Sequence, residues 1–233
     1  MKNKFNYNEP HFVFEDNSKL IFPFGPPIYQ TQISDLFVKD LLQEGRKLKI
    51  EEDDFNFELA GNLKKGRSFH YKNNFVRKVE PYIIQKLEYF LSQFDKKVNN
   101  DILEQTLKIK KPSSVNEYVR GNFSLESLWI NFQKQYDHNP PHKHSGLYSF
   151  VVYLKVPEKI FEVQADSNTK DAGYIIFNYG DVISDTTRIN FKVQPYEGLM
   201  LIFPNNLEHH VPPFWIDEER ISVSGNINVQ FVE

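Results

Sequence analysis

From residue 127 onward the chain is a succession of short apolar or alternating runs, and this limits its possible folds more than any other feature. The runs fall at residues 127–134, 147–156, 173–179, 187–195, 199–203 and 220–231, with turn-forming residues between them. β-Branched and aromatic residues dominate them, as strands that bury one or both faces require. Each such sheet must cover its apolar face with another layer, so many short strands in series predict a β-sandwich or jelly roll. Before Pro112 the periodicity changes. Ser34 is placed to cap a helix running to about Leu48, with Leu36, Phe37, Leu41 and Leu42 on one side. A second helix is predicted over 76–94, where Val76, Val79, Ile83, Leu87, Phe90 and Phe94 step by three or four. Pro81 is tolerated in a first turn and not in a helix interior, so it marks the expected true start of that helix. Residues 1–31 read as irregular, with turns forced by the Pro/Gly cluster at 23–27. The expected class is α+β, mainly β, with the N-terminal helices packed against one sheet.

Composition narrows the partners. The chain of 233 residues carries 21 Phe and 12 Tyr, ample material for one large core. A net charge of −3 gives no global basic field, and the Lys64-Lys65, Lys96-Lys97 and Lys110-Lys111 pairs read as solvated faces, so no nucleic-acid patch is expected. The absence of cysteine excludes disulfides, thiolate metal sites and a cysteine nucleophile, which leaves histidine and carboxylates as metal ligands. No apolar signal core follows Met1, and runs such as 150–154 are far too short to span a bilayer. A soluble cytoplasmic protein is expected.

Five of the seven histidines lie in two clusters, His138/His142/His144 and His209/His210. His142 and His144 follow the rigid Asn139-Pro140-Pro141 and are two residues apart, so in extended chain both point to one face. Of the neighbours His209 and His210 only one can face inward. His209 is chosen because Leu207 and Val211, each two residues away, share its side. His138 reads as an exposed loop residue, and His11 and His70 are given no role. Arg220, Ser222 and Ser224 alternate with Ile221 and Val223, which places a cation on the inner face of a core strand, where it needs an anionic partner. A dicarboxylate can supply that partner through a two-pronged pair, with the Ser222 hydroxyl as an added donor. Two imidazoles from one segment, a third from a distant one and a buried cation suit a mononuclear metal holding an anionic co-substrate. The segment Gly61-Asn62-Leu63-Lys64-Lys65-Gly66-Arg67-Ser68 imitates a phosphate-binding loop, but Arg67 stands where the lysine belongs. The residues that follow, Phe69 to Asn74, are poor helix material. It reads as a basic surface turn.

These residues together resemble the iron(II)- and 2-oxoglutarate-dependent oxygenases, within them the small oxygenases of marine bacteria and their phages. The resemblance is carried by Trp129-Ile130-Asn131, by Asn139 to His144 with Ser149 to Leu154, by Pro195 to Pro204, by Leu207 to Pro212 and by Arg220 to Ser224. It implies a double-stranded β-helix (jelly roll) and a single oxygenase domain over 1–233, with 1–112 as a supporting region and 113–233 as the core. It implies Fe(II) held by His142, His144 and His209, O2, and 2-oxoglutarate clamped by Arg220 and Ser222. Gln133 occupies a position where relatives often carry a tyrosine that touches 2-oxoglutarate. The implied reaction hydroxylates a small molecule or protein side chain and releases succinate and CO2, in the host cytoplasm if the chain is phage-encoded. The family usually has an acidic residue where His144 stands, so His144 is either a third neutral ligand or a bystander, with an open position or a carboxylate such as Asp137 completing the site. Two other classes remain open: a three-histidine metal enzyme that does not use 2-oxoglutarate, and a non-catalytic β-sandwich binding or structural module. The segments 171–180 and 212–215 are expected to line a substrate entrance.

Overall fold

The computed structural model describes residues 11–13, 16–21, 26–97, 122–163, 170–180 and 189–230. Twelve strands are found among them. They are β1 His11–Val13, β2 Lys19–Ile21, β3 Ile28–Gln32, β4 Arg67–His70, β5 Asn122–Gln133, β6 Asn139–His142, β7 Tyr148–Lys155, β8 Ile175–Asn178, β9 Asn190–Val193, β10 Leu199–Pro204, β11 Glu208–Val211 and β12 Arg220–Gln230. Eight form a major sheet in the order β1-β2-β3-β10-β7-β12-β5-β4, and four form a minor sheet in the order β6-β11-β8-β9. All pairings within them are antiparallel. The mainly β, jelly-roll expectation is met.

Alternation along the central strands splits the core into two layers. Val152 and Leu154 of β7, Met200 and Ile202 of β10, and Ile221 and Val223 of β12 face one way, into a cluster with Leu41, Val79, Ile83, Leu87 and Phe90 of the helices. Val151, Tyr153, Leu199, Leu201 and Phe203 face the other way and meet Ile175, Phe177 and Val211 of the minor sheet. A strand with both faces covered reads as a nearly continuous apolar run, which is why 147–156 and 199–203 looked so strongly apolar.

Helix α1, Asp35–Glu51, starts where its cap predicts: the Ser34 side chain accepts a hydrogen bond from the Phe37 amide. Helix α2, Asn73–Lys97, departs from expectation because Pro81 lies inside it rather than in its first turn. Proline removes one intrahelical hydrogen bond there, but the stripe of Val79, Ile83, Leu87 and Phe90, each at most 2 % exposed, continues through it. Tertiary burial of that stripe outweighs the lost bond. A short third helix, α3, covers Lys159–Val163. The strands expected at 173–179 and 187–195 are shorter, β4, β6 and β11 were not anticipated, and the segment 1–31 read as irregular contributes β1, β2 and β3 to the major sheet. The expected change of character at Pro112 lies outside the described residues.

Candidate metal centre and co-substrate pocket

The three histidines converge because the minor sheet pairs their strands. His209 of β11 sits directly opposite His142 of β6, and His144 follows on the loop between β6 and β7. That loop is fixed by backbone bonds: the His144 amide donates to the Asn205 carbonyl and the Asn205 side-chain amide donates back to the His144 carbonyl. Gly146, at φ +83°, then turns the chain into β7 where an added Cβ would lie 2.9 Å from the Ile227 carbonyl oxygen. One ring nitrogen from each of His142, His144 and His209 lies within 4.8 Å of the others, and no other such group is found among the described residues.

The hydrogen bonds of these rings choose their tautomers. His142 Nδ1 is 2.7 Å from the Pro140 carbonyl oxygen and His209 Nδ1 is 3.0 Å from that of Leu207. A carbonyl only accepts, so both Nδ1 atoms carry the proton and both Nε2 lone pairs are left for an ion. His144 Nε2 is 3.2 Å from His209 Nε2. Two nitrogens about 2.1 Å from a common ion and at right angles stand about 3 Å apart, so this spacing suits a shared metal. Burial lowers the pKa of all three; His144 falls to about 4, helped by the neighbouring His142, and His209 falls well below the usual histidine value. Neutral imidazoles at pH 7 bind metal without first losing a proton. Phe177 and Phe203 pack at 5.8 and 4.8 Å from the His209 ring and screen it from water.

His210 points away, as expected, with Nδ1 beside Asn178 Nδ2. His138 is not an exposed loop residue: it is half-buried and pairs with Asn62 in an isolated bridge. Asp137 cannot complete the metal site. It is fully buried, and its carboxylate accepts the backbone amides of Lys64, Lys65 and Lys134. The Gly61–Ser68 segment thereby acquires a structural explanation. Strand β4 follows it rather than a helix, and Gly66 is needed because an added Cβ would lie 2.2 Å from the Phe132 carbonyl oxygen and 2.5 Å from Asp137 Oδ2.

Arg220 is 2 % exposed at the start of β12. The register sets Arg220 against Gln133, Ser222 against Asn131 and Ser224 against Trp129 on β5, with Ser222 against Tyr153 and Ser224 against Val151 on β7. These side chains share one face, and with the histidine triad they line one cavity with about 50 Å³ of free space. Arg220 Nη1 donates to Gln133 Oε1, Nη2 donates to the Gly173 carbonyl at 3.3 Å, and the buried Nε has no partner. No carboxylate among the described residues pairs with it. The guanidinium carbon lies 4.9 Å from the centre of the Tyr153 ring, a cation over an aromatic face. Gln133 touches the guanidinium and passes its own amide to Asn139 Oδ1 at 2.7 Å, linking Arg220 to the strand of His142.

Tyr153 was missed in the sequence. Its hydroxyl is buried without a hydrogen-bond partner, and burial pushes its pKa up to about 12. The available signal was its place two residues after Val151, on the inward side of β7. The segment 171–180 closes the Arg220 end through the Gly173 carbonyl and Ile175, rather than a substrate entrance.

Residues 127–226 match the family described as "Putative 2OG-Fe(II) oxygenase". Over this span the chain is similar to the 2OG-Fe(II) oxygenases. The span holds all three histidines, Arg220, Ser222, Gln133 and Tyr153. The donor set suits the cofactors that family is named for, Fe(II) and 2-oxoglutarate: three neutral imidazoles and one buried, unneutralised guanidinium. The match does not extend to the marine and phage branch in particular. Among solved structures the chain is similar to OsALKBH1, at 15% identity over 93% of this chain and 99% of that one, with a TM-score of 0.51. It is also similar to a prolyl-4-hydroxylase of Pseudomonas putida, at 14% identity over 88% and 93% of the two chains, TM-score 0.49. A third is the viral collagen prolyl hydroxylase of Paramecium Bursaria Chlorella virus-1, at 15% identity over 86% and 94%, TM-score 0.46. At these identities the likeness to OsALKBH1 speaks for the fold alone. No curated protein sequence matches the chain.

Proposed function

We propose that the protein hydroxylates a C–H bond of its substrate while 2-oxoglutarate is oxidatively decarboxylated to succinate and CO2, one atom of O2 entering the new hydroxyl group and the other the succinate. The observation that carries this reading is Arg220, a buried cation with no carboxylate of its own, in the same cavity as the triad. A buried unpaired charge is costly, and a dicarboxylate that reaches from the metal to Arg220 relieves that cost. The three-histidine enzyme without 2-oxoglutarate and the non-catalytic module leave Arg220 without a purpose.

In this reading His142, His144 and His209 hold Fe(II), which when bound supplies the centre at which O2 is reduced. The protein's own part is placement and exclusion of water. Arg220 grips the distal carboxylate of 2-oxoglutarate with its fork, and the Ser222 and Tyr153 hydroxyls donate to the same group. Gln133 Oε1 now accepts from Arg220, so the entering carboxylate displaces that acceptor while the Gln133 amide keeps its bond to Asn139. The Pro140 and Leu207 carbonyls hold the His142 and His209 rings in the tautomer that presents Nε2. His144 in place of a carboxylate leaves the ligand set neutral, so more of the ion's charge is balanced by 2-oxoglutarate. The reading also carries the single domain over 1–233 and a cytoplasmic setting; no helix among the described residues is long and apolar enough to cross a membrane.

The test is an anaerobic titration with Fe(II) and 2-oxoglutarate, watching for the weak visible charge-transfer band of the chelate, followed by air and a measurement of succinate. One ion per chain and chelator-sensitive succinate are expected, and His142→Ala or His209→Ala abolishes both. Stoichiometric metal in the double variant, or succinate formed after metal removal, refutes the reading.

A further inference from the structure

A second cavity, of about 380 Å³, opens beside the triad and shares Trp129, Asn139, His142 and His144 with the co-substrate pocket. It is far roomier than the roughly 50 Å³ beside Arg220 and extends toward the residues before β4. One wall is aromatic without a break. The Phe55 and His70 rings stack at 3.6 Å and 25°, His70 meets Trp129 edge-on at 6.5 Å, and Trp129 lies 5.7 Å from the His144 ring. The wall therefore runs from the cavity mouth to the metal ligands. Polar groups line it as well. Ser127 Oγ is buried without a hydrogen-bond partner, and Asn139 Nδ2 faces Gly61, 3.3 Å from where a Cβ there would lie. Among the described residues no Asp or Glu lines this cavity, and the always-charged lining residue among them is the exposed Lys143.

We propose that this cavity is the prime-substrate site and that it takes a compact anionic small molecule with one flat ring. The ring lies along the Phe55–His70–Trp129 wall, the anionic group faces Lys143, and Ser127 and Asn139 donate to polar substituents. A cationic substrate finds no counter-charge here, and a flexible acyclic acid leaves the aromatic wall uncovered. The volume lies at the low end of the range for small-molecule pockets, which suits a single-ring ligand. The proposal names the substrate class for the oxygenase reading above and rests on it. It deepens that reading through Asn139, which lines both cavities and accepts from Gln133, the residue that holds Arg220.

Trp129 supplies the readout, since the chain has only two tryptophans. In Trp215→Phe protein loaded with Zn(II) and N-oxalylglycine, the fluorescence of Trp129 is titrated with phenylacetate, phenylacetamide, phenethylamine and acetate. Phenylacetate is expected to saturate the signal, up to about fivefold tighter than phenylacetamide, the upper range of an exposed ion pair. Phenethylamine and acetate are expected not to saturate it. Lys143→Met should erase the preference for phenylacetate over phenylacetamide, and Phe55→Leu, checked for folding by its melting curve, should weaken both. The same titration on Arg220→Ala protein separates the two ideas. If phenylacetate binding persists there while N-oxalylglycine binding is lost, both stand; if N-oxalylglycine binds Arg220→Ala as tightly as wild type, the co-substrate reading fails and the cavity is judged on its own titration. Phenethylamine binding as tightly as phenylacetate, or no ring-bearing probe perturbing Trp129, overturns the proposal. So does a preference for phenylacetate that is unchanged in Lys143→Met.

Discussion

Replacing Arg220 by methionine removes the charge while keeping much of the stem's volume, and the structure sets opposite expectations for the free and liganded protein. Without 2-oxoglutarate, Arg220 is 2 % exposed, lacks a carboxylate partner and has an unpaired Nε. Its bonds to Gln133 Oε1 and the Gly173 carbonyl, and its place over Tyr153, offset part of the desolvation. Exchanging a buried charge for an apolar side chain of similar size is often neutral or stabilising by about 1–4 kcal/mol. The two acceptors left behind take back roughly 1–3 kcal/mol each unless they find other donors, and the Gln133 amide keeps its bond to Asn139. The free variant should therefore be within about 1 kcal/mol of wild type, the near-cancellation of those figures. With 2-oxoglutarate the outcome differs. Removing one member of a buried charge pair costs about 2–5 kcal/mol, or roughly 30- to several-thousand-fold in affinity. At a ligand concentration 100 times the wild-type Kd, linkage stabilises wild type by about 2.7 kcal/mol. The same concentration stabilises a variant weakened 30-fold by only about 0.9 kcal/mol, and a weaker one by almost nothing. Urea unfolding with Zn(II), with and without 2-oxoglutarate, measures both quantities. Tyr153→Phe should fall between the two, since it removes one hydroxyl donor and no charge. A ligand-induced gain in Arg220→Met equal to wild type refutes the clamp. A free variant destabilised by several kcal/mol would show that Arg220 is held for structure rather than for an anion.

Three further outcomes follow from the local geometry. Because burial lowers the folded-state pKa of the three histidines, the unfolded chain binds more protons below its own value of 6.5, and stability is lost as pH falls from 6.5 toward the folded value of about 4 for His144. For His144 alone the loss at pH 5 is about 2 kcal/mol, with His142 and His209 acting in the same direction; urea midpoints of metal-free protein at pH 7 and 5 measure it, and unchanged midpoints contradict it. Gly66→Ala should destabilise by about 1–3 kcal/mol through overpacking against Phe132 and Asp137, and should weaken 2-oxoglutarate because Gln133 Cα lies 3.1 Å from the added Cβ. Nucleotide triphosphates should leave its melting curve and that of wild type unmoved, whereas a nucleotide-induced shift in wild type would restore the phosphate-loop reading.

The local pattern of the sequence determined the mainly β class, the Ser34 cap, the choice of His209 over His210 and the inward side of Arg220 and Ser222. Each follows from period-two alternation or from a cap, which are properties of a few consecutive residues. Pro81 shows where local rules stop: its own preference ends a helix, and the burial of Val79, Ile83, Leu87 and Phe90 on both sides of it carries the helix through. Asp137 shows the same from another direction, since a carboxylate near three histidines reads as a ligand until the Lys64–Lys65 amides that fold back onto it are known. The direct pairing of His209 with His142, the unpartnered Tyr153 hydroxyl, and the wall of Phe55, His70 and Trp129 belong to the tertiary structure alone. They depend on which strands become neighbours, and long-range strand pairing is settled by how the whole chain buries its apolar faces, a sum that no short window of residues contains.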